Sequence, residues 1–222
     1  VVGTGQGRAT WRVAAADLVL GAACAVCERP ALHVCPGCAR LLLPQVGHVP
    51  GSLTVVAGAR YEGAWRAVVP AWKERGHHGL LPWLAVALAS AVVEVAGEES
   101  DVVLVPVPTS RRNRRRRGQD HMTVLARAAA GMLRSCGLQA GVAPVLALAR
   151  QTRDQADLTA PEREANLRGA LRAAPPGRDR GRGRLVVVDD VTTTGATVRE
   201  ALRALAAVGH VPAGAATVAW RP

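Results

Sequence analysis

The segment Leu185-Val186-Val187-Val188-Asp189-Asp190-Val191-Thr192-Thr193-Thr194-Gly195-Ala196-Thr197 governs how the rest of the chain is read. Its apolar run has the pattern of a strand buried on both faces. Such a strand delivers Asp189 and Asp190 to its C-terminal tip, where ligands bind in open α/β sheets. Threonines and a glycine then turn the chain into a helix, Ala196 to Val208. Gly195 allows a close backbone approach, and the N–H groups at the start of a helix favour an anion. The hydroxyls of Thr193, Thr194 and Thr197 add donors, while the two carboxylates accept hydrogen bonds from sugar hydroxyls or hold a divalent cation. One element thus combines a phosphate cradle with a clamp for a ribose diol. Helix capping alone would explain one acid, but not the strand, both acids and the Thr-Thr-Gly-x-Thr loop together. The segment has no Gly-Lys-Ser/Thr and no Gly-x-Gly-x-x-Gly, which excludes a Walker loop and a dinucleotide fingerprint.

Working outward, the helix after the loop places Val198, Ala201, Leu202, Leu205 and Val208 on its inner face and Arg199, Glu200 and Arg203 outside. Val211 to Val218 follows as a strand. Upstream, Asp101 to Val107 repeats the buried-strand pattern, and Ser52 to Tyr61 and Val142 to Leu148 read as further strands. Helices are expected at Gly63 to Arg75, disturbed by Pro70, at Leu80 to Ala96, and at about His121 to Cys136. The polar stretch Arg150 to Arg182, rich in Arg, Asp, Gly and Pro, reads mostly as loop. Alternating strands and helices give an α/β domain with a mainly parallel sheet flanked by helices, over residues 51–222.

Residues 1–50 read as a separate N-terminal helix and cysteine module. Cys24-x-x-Cys27 and Cys35-x-x-Cys38 are two pairs whose spacing lets both thiolates of each pair reach one ion from a tight knuckle. Two such pairs complete a tetrahedral sulfur site suited to structural zinc, with no open position for catalysis. Two disulfides or plain reduced thiols are the competing readings; the lack of a secretion signal argues against the first and the paired spacing against the second. Cys136 lies on one helical stripe with Met122, Leu125, Ala129 and Met132, and reads as a buried core thiol. His77 and His78 have no ligand spacing and read as loop histidines.

At 222 residues the chain is long enough for one full domain and a small appendage. Phe is absent, so core volume must come from Val, Leu and Ala. The net charge of +11 points to an anionic partner, and a phosphorylated metabolite, single-stranded nucleic acid or a membrane surface would each suit it. The apolar run Leu80 to Val93, broken by Pro82 and followed by Glu94, reads as a buried helix, so no membrane span is expected. With no signal-peptide core in the first twenty residues, a soluble cytoplasmic protein is expected.

The loop of Thr192 to Thr197 resembles the phosphoribosyl pyrophosphate (PRPP) motif of type I phosphoribosyltransferases. Tyr61-x-Gly63, Lys73 to Gly76, Val105-Pro-Val-Pro-Thr-Ser110, Arg117-Gly118, and Arg150 to Asn166 with Gly169 extend the likeness. With the cysteine module they resemble the ComF family, competence-associated proteins that combine a type I phosphoribosyltransferase fold with an N-terminal zinc ribbon. The resemblance implies that Asp189 and Asp190 contact the ribose hydroxyls as catalytic residues. It implies that Thr192, Thr193, Thr194, Gly195, Ala196 and Thr197 take the 5′-phosphate. Pro108, Thr109, Ser110 and Arg111 would bind pyrophosphate, and Arg150, Arg153 and Gln155 would belong to a mobile loop over PRPP. Arg163 and Asn166 match an Arg-x-x-Asn element. The implied function is transfer of ribosyl 5-phosphate from PRPP, with Mg²⁺, to an acceptor that the sequence does not name. The alternative is a non-catalytic protein that binds PRPP and handles single-stranded DNA in competence, with a competence helicase as partner. Thr192 stands where purine-salvage members carry an acid, which speaks against purine salvage.

The chain departs from the family at Gln119, Asp120 and His121, where an aromatic and two amides are usual. The run Arg111, Arg112, Arg114 to Arg117 reads either as a solvated loop with phosphate contacts or as a track for a nucleic-acid backbone, with Trp65 and Trp72 as stacking surfaces.

Overall fold

The computed structural model describes residues 22–52, 54–97, 101–109, 120–150, 159–176 and 183–222. The helices are α1 (Pro36–Ala39), α2 (Ala64–Lys73), α3 (Leu81–Ala96), α4 (His121–Ser135), α5 (Ala160–Leu167) and α6 (Ala196–Ala206). The strands are β1 (Gly47–His48), β2 (Val55–Ala57), β3 (Val102–Pro106), β4 (Ala140–Val142), β5 (Leu146–Leu148), β6 (Leu171–Ala173), β7 (Arg184–Thr192) and β8 (Pro212–Trp220). Contacts divide the chain into two compact units. One is the described part of Val1–Leu43 with Glu62–Trp83, and the other is Pro44–Tyr61 with Leu84–Pro222.

The larger unit is built on a six-stranded sheet in the order β1-β2-β8-β7-β3-β4. All neighbours run parallel except β1 against β2. This is an α/β architecture with a mostly parallel sheet flanked by helices. The central strands are apolar throughout because both faces are covered. On one face Val105, Val187 and Ala215 pack with Val198, Ala201, Ala204 and Leu205 of α6. The alternate residues Leu104, Val186, Val188, Ala216 and Val218 are buried as well. A two-stranded antiparallel ladder of β5 and β6 adds Leu146 and Leu171 to the α6 side. The stretch His78–Ala96 is long and apolar enough to cross a membrane by length and composition, and half of it is buried inside the protein.

The smaller unit holds the cysteine module, α1, α2 and the 3₁₀ turn His78–Leu80. Pro70 lies inside α2 without ending it. The His33 ring lies against Gly79 so closely that a Cβ there would run into it.

Several sequence expectations are corrected. Val142 to Leu148 is two strands in two sheets, because Pro144 has no N–H to donate to a continuing ladder. The stretch from Ser52 to Tyr61 contributes only three strand residues, Val55–Ala57. The stretch Arg150 to Arg182, read mostly as loop, also holds α5 and β6, while 151–158 and 177–182 lie outside the described residues. The N–H and hydroxyl of Thr159 both donate to Glu162 Oε2, at 2.8 and 2.6 Å. Thr159-x-x-Glu162 with Pro161 in the first turn is a capping signature that was legible in the sequence. Cys136 is exposed rather than buried, since α4 stops at Ser135 and the apolar stripe runs out at its C-cap. Trp65 and Trp72 are buried, which removes their rings as stacking surfaces for bases. Glu200, expected outside, is buried, and Leu202 and Val208 are only half-buried.

Candidate functional site

Strand β7 connects through α6 to β8 on one side, and β3 connects through α4 to β4 on the other. Neighbouring parallel strands whose connections depart in opposite directions define a topological switch point. Right-handed crossovers then place α4 and α6 on opposite faces. The C-terminal ends of β3 and β7 are therefore at the place where open α/β sheets bind ligands.

The two strands end at different heights. Pro106, the last residue of β3, pairs with Val188, and the Val107 N–H donates to the Val188 carbonyl at 3.0 Å. Beyond that level β7 continues to Thr192, paired among the described residues with β8 alone, through Asp189 opposite Thr217 and Thr192 opposite Trp220. Asp189 and Asp190 thus lie within the strand rather than at its tip, on the edge that β3 leaves open. Alternation along the strand sends them to opposite faces. Backbone donors hold both carboxylates: the Asp190 N–H reaches Asp189 Oδ1 at 2.9 Å, and the Val191 N–H reaches Asp190 Oδ1 at 2.7 Å. Asp190 is buried and Asp189 half-buried.

Thr192 is buried, Thr193 and Thr197 are half-buried, and Thr194 is exposed at the top of the loop. Gly195 forms the N-cap of α6 at φ 73, in the left-handed region open to glycine, and Ala196 begins the helix. Arg199, read from the sequence as an outward residue, bends back so that its Nη1 donates to the Thr194 carbonyl at 2.6 Å. The Arg221 N–H closes the same loop onto the Thr192 carbonyl at 2.8 Å.

Pro108 and Thr109 lie two and three residues past the end of β3 and are half-buried. Thr109 Oγ1 donates to Asp120 Oδ1 at 2.9 Å, and the same oxygen accepts the Met122 N–H at 3.1 Å. Asp120 is the N-cap of α4, and an acid just before an apolar helical run was a signal for that role. Ser110 and Arg111, the rest of the arginine run, and Gln119 lie outside the described residues. So do Arg153 and Gln155. Arg150 is described, and its Nη2 donates to the carbonyls of Asn166 and Arg168 at the end of α5, at 2.8 and 3.0 Å.

A second constellation lies in the smaller unit. The sulfur atoms of Cys24, Cys27, Cys35 and Cys38 lie within 4.8 Å of one another, an arrangement that can hold a metal ion. A tight turn makes the first knuckle, with the Cys24 N–H on the Arg29 carbonyl and the Glu28 N–H on the Cys24 carbonyl. The second opens α1, with Cys35 as its N-cap and Cys38 in its turn. Cys27 Sγ and Cys35 Sγ are 3.7 Å apart, close to the ~3.8 Å edge of a tetrahedron with zinc–sulfur bonds of about 2.3 Å. Burial opposes ionisation of Cys24, but N–H donors from Cys35, Cys27 and Val26 outweigh it and bring its thiol down to about 6. Burial and then the neighbouring sulfurs push Cys38 up to about 12. Four thiolates this close repel one another, and a bound cation is what lets all of them ionise.

No family model and no curated protein matches the chain.

Proposed function

We propose that this chain is a PRPP-binding protein of the ComF kind, with a type I phosphoribosyltransferase fold over residues 51–222 and a zinc ribbon within residues 1–50. The observation that carries the reading is the switch-point crevice between β3 and β7, where two consecutive acids stand beside a Thr-rich loop opening a helix. In this reading Asp189 and Asp190 accept hydrogen bonds from the ribose hydroxyls. The N–H groups and hydroxyls of Thr193 to Thr197 hold the 5′-phosphate, and the segment after β3 receives the pyrophosphate. The reaction is transfer of ribosyl 5-phosphate: the bond from C1 to pyrophosphate breaks, a nucleophilic acceptor bonds to C1, and pyrophosphate leaves. Fixed donors around the leaving group stabilise the charge that develops on it. Mg²⁺, when bound with PRPP, neutralises part of that charge. In the smaller unit the four cysteines suit a structural zinc, since all four positions of a tetrahedral ion are taken by sulfur.

Calorimetry with PRPP and Mg²⁺ tests the reading. Wild-type protein is expected to bind, and the double variant Asp189→Asn/Asp190→Asn to lose at least tenfold in affinity while keeping its circular dichroism spectrum. Thr194→Val, at an exposed position, should weaken binding without touching the core. Unchanged affinity in the double variant would reject the ribose clamp, and a wild-type protein blind to PRPP would reject the whole assignment.

A further inference from the structure

Two carbonyls of the Thr-rich loop are held from outside it. The Arg221 N–H donates to the Thr192 carbonyl at 2.8 Å, and Arg199 Nη1 donates to the Thr194 carbonyl at 2.6 Å. None of the described peptide bonds is cis. In a planar trans peptide the C=O and the N–H that follows it point in opposite directions. Fixing these two carbonyls therefore turns the N–H groups of Thr193 and Gly195 away from Arg221 and Arg199. The first carbonyl is held by backbone, whereas the second depends on a side chain. It is also the one more in need of holding. Gly195 lies at φ 73, and a glycine lets the peptide before it turn over at little cost, as the exchange between type I and type II turns shows. A Cβ at position 195 would stand 3.2 Å from the same Arg199 Nη1, so glycine also leaves the guanidinium its room.

Helix capping does not account for this arginine. Arg199 is the fourth residue of α6, at the end where the helix dipole favours acids, and the first turn holds none. A cation there opposes the dipole unless an anion sits with it. We infer that Arg199 is a positioning residue: it latches the Thr194–Gly195 peptide so that the Gly195 N–H is aimed at the 5′-phosphate of the ligand. This rests on the phosphoribosyl reading above and names the side chain that sets its phosphate donor.

Ribose 5-phosphate carries the group at issue without the pyrophosphate, so it is the probe. Binding is followed by calorimetry and by the Gly195 amide in NMR spectra of the full chain. Arg199→Met keeps an unbranched side chain and removes the donor. It is expected to bind ribose 5-phosphate about tenfold more weakly, the loss of one hydrogen bond to a charged group. PRPP with Mg²⁺ is expected to weaken by the same factor. In wild type the ligand should move the Gly195 amide proton downfield, and in Arg199→Met that shift should be lost. Arg199 is exposed, so the two proteins are expected to melt together. The inference is overturned if the Met variant binds ribose 5-phosphate as wild type does. It is overturned as well if affinity falls while the Gly195 amide still responds in full, the mark of a guanidinium acting by charge alone. A Met variant that melts well below wild type makes the role structural and has the same consequence. In each of those cases wild-type binding still supports the phosphoribosyl site. A wild-type protein that binds neither ligand removes the phosphoribosyl reading and this inference together.

Discussion

Glu200 lies one turn into α6, buried against the edge of β6, and accepts the Leu171 N–H on Oε1 at 3.1 Å. Arg203 donates to both of its oxygens at 2.8 Å and reaches the Leu171 carbonyl at 3.2 Å. The pair ties the helix that carries the Thr-rich loop to the small β5–β6 ladder. Hydrogen bonds from Arg203 hold the Glu200 carboxyl below the ordinary glutamate range; burial opposes this, and the N–H groups of Leu171 and Gly169 add to it. A carboxylate with a lowered folded pKa stabilises the protein above its unfolded pKa, and that contribution is lost as pH falls through the folded value. Thermal melts should therefore show Glu200→Gln less stable than wild type at neutral pH, by about 1 to 3 kcal/mol. The two melting curves should converge as the medium is made more acid than the ordinary value of 4.5. A gap that stays constant with pH would remove the ionic character of this contact. Position 200 was misplaced from the sequence because helical periodicity assigns a charged residue to solvent. It carries no sign that a strand edge with an unmet N–H will lie opposite.

Among the elements, β3, β7 and α6 were legible because their apolar runs and period match one buried environment. The sequence placed the acids and the Thr-rich loop on one strand-to-helix turn, and it placed the segment after β3 on another. What it could not supply was that β3 and β7 are neighbours, since strand order depends on packing across the whole sheet. The short strand β6 was lost, and β4 and β5 were run together, for a related reason: three residues carry too little pattern to stand out from a loop or from one another. The cysteine knuckles were legible from spacing alone, because ligand geometry dictates the two-residue gap. Elemental analysis of metal-replete protein is expected to give one zinc per chain, and Cys27→Ser to lower that occupancy markedly. Chelation should expose residues 22–43 to protease before the rest of the chain, because metal binding and folding are coupled at such sites. Full zinc retention in Cys27→Ser would end the four-sulfur assignment.

For the molecule as a whole, a net charge of +11 sets a long-range field that attracts polyanions whatever the crevice binds. Single-stranded DNA is expected to bind weakly at low salt, with affinity falling steeply as salt rises because cations are released from the phosphates. Replacing Arg114, Arg115 and Arg116 by Ser should flatten that dependence and leave PRPP affinity unchanged. A protein that ignores DNA even at low salt would eliminate the nucleic-acid reading. The charge and the crevice place different demands on a ligand. The field acts on any anion, whereas the carboxylates of Asp189 and Asp190 are already anchored by the N–H groups of Asp190 and Val191 where β7 outruns β3. Such anchoring makes the site preorganised: fixing a mobile side chain during binding costs about 0.5–1.5 kcal/mol, and here folding has already met that cost. In the phosphoribosyl reading proposed above, a ribose at this edge meets acceptors whose aim was settled before it came.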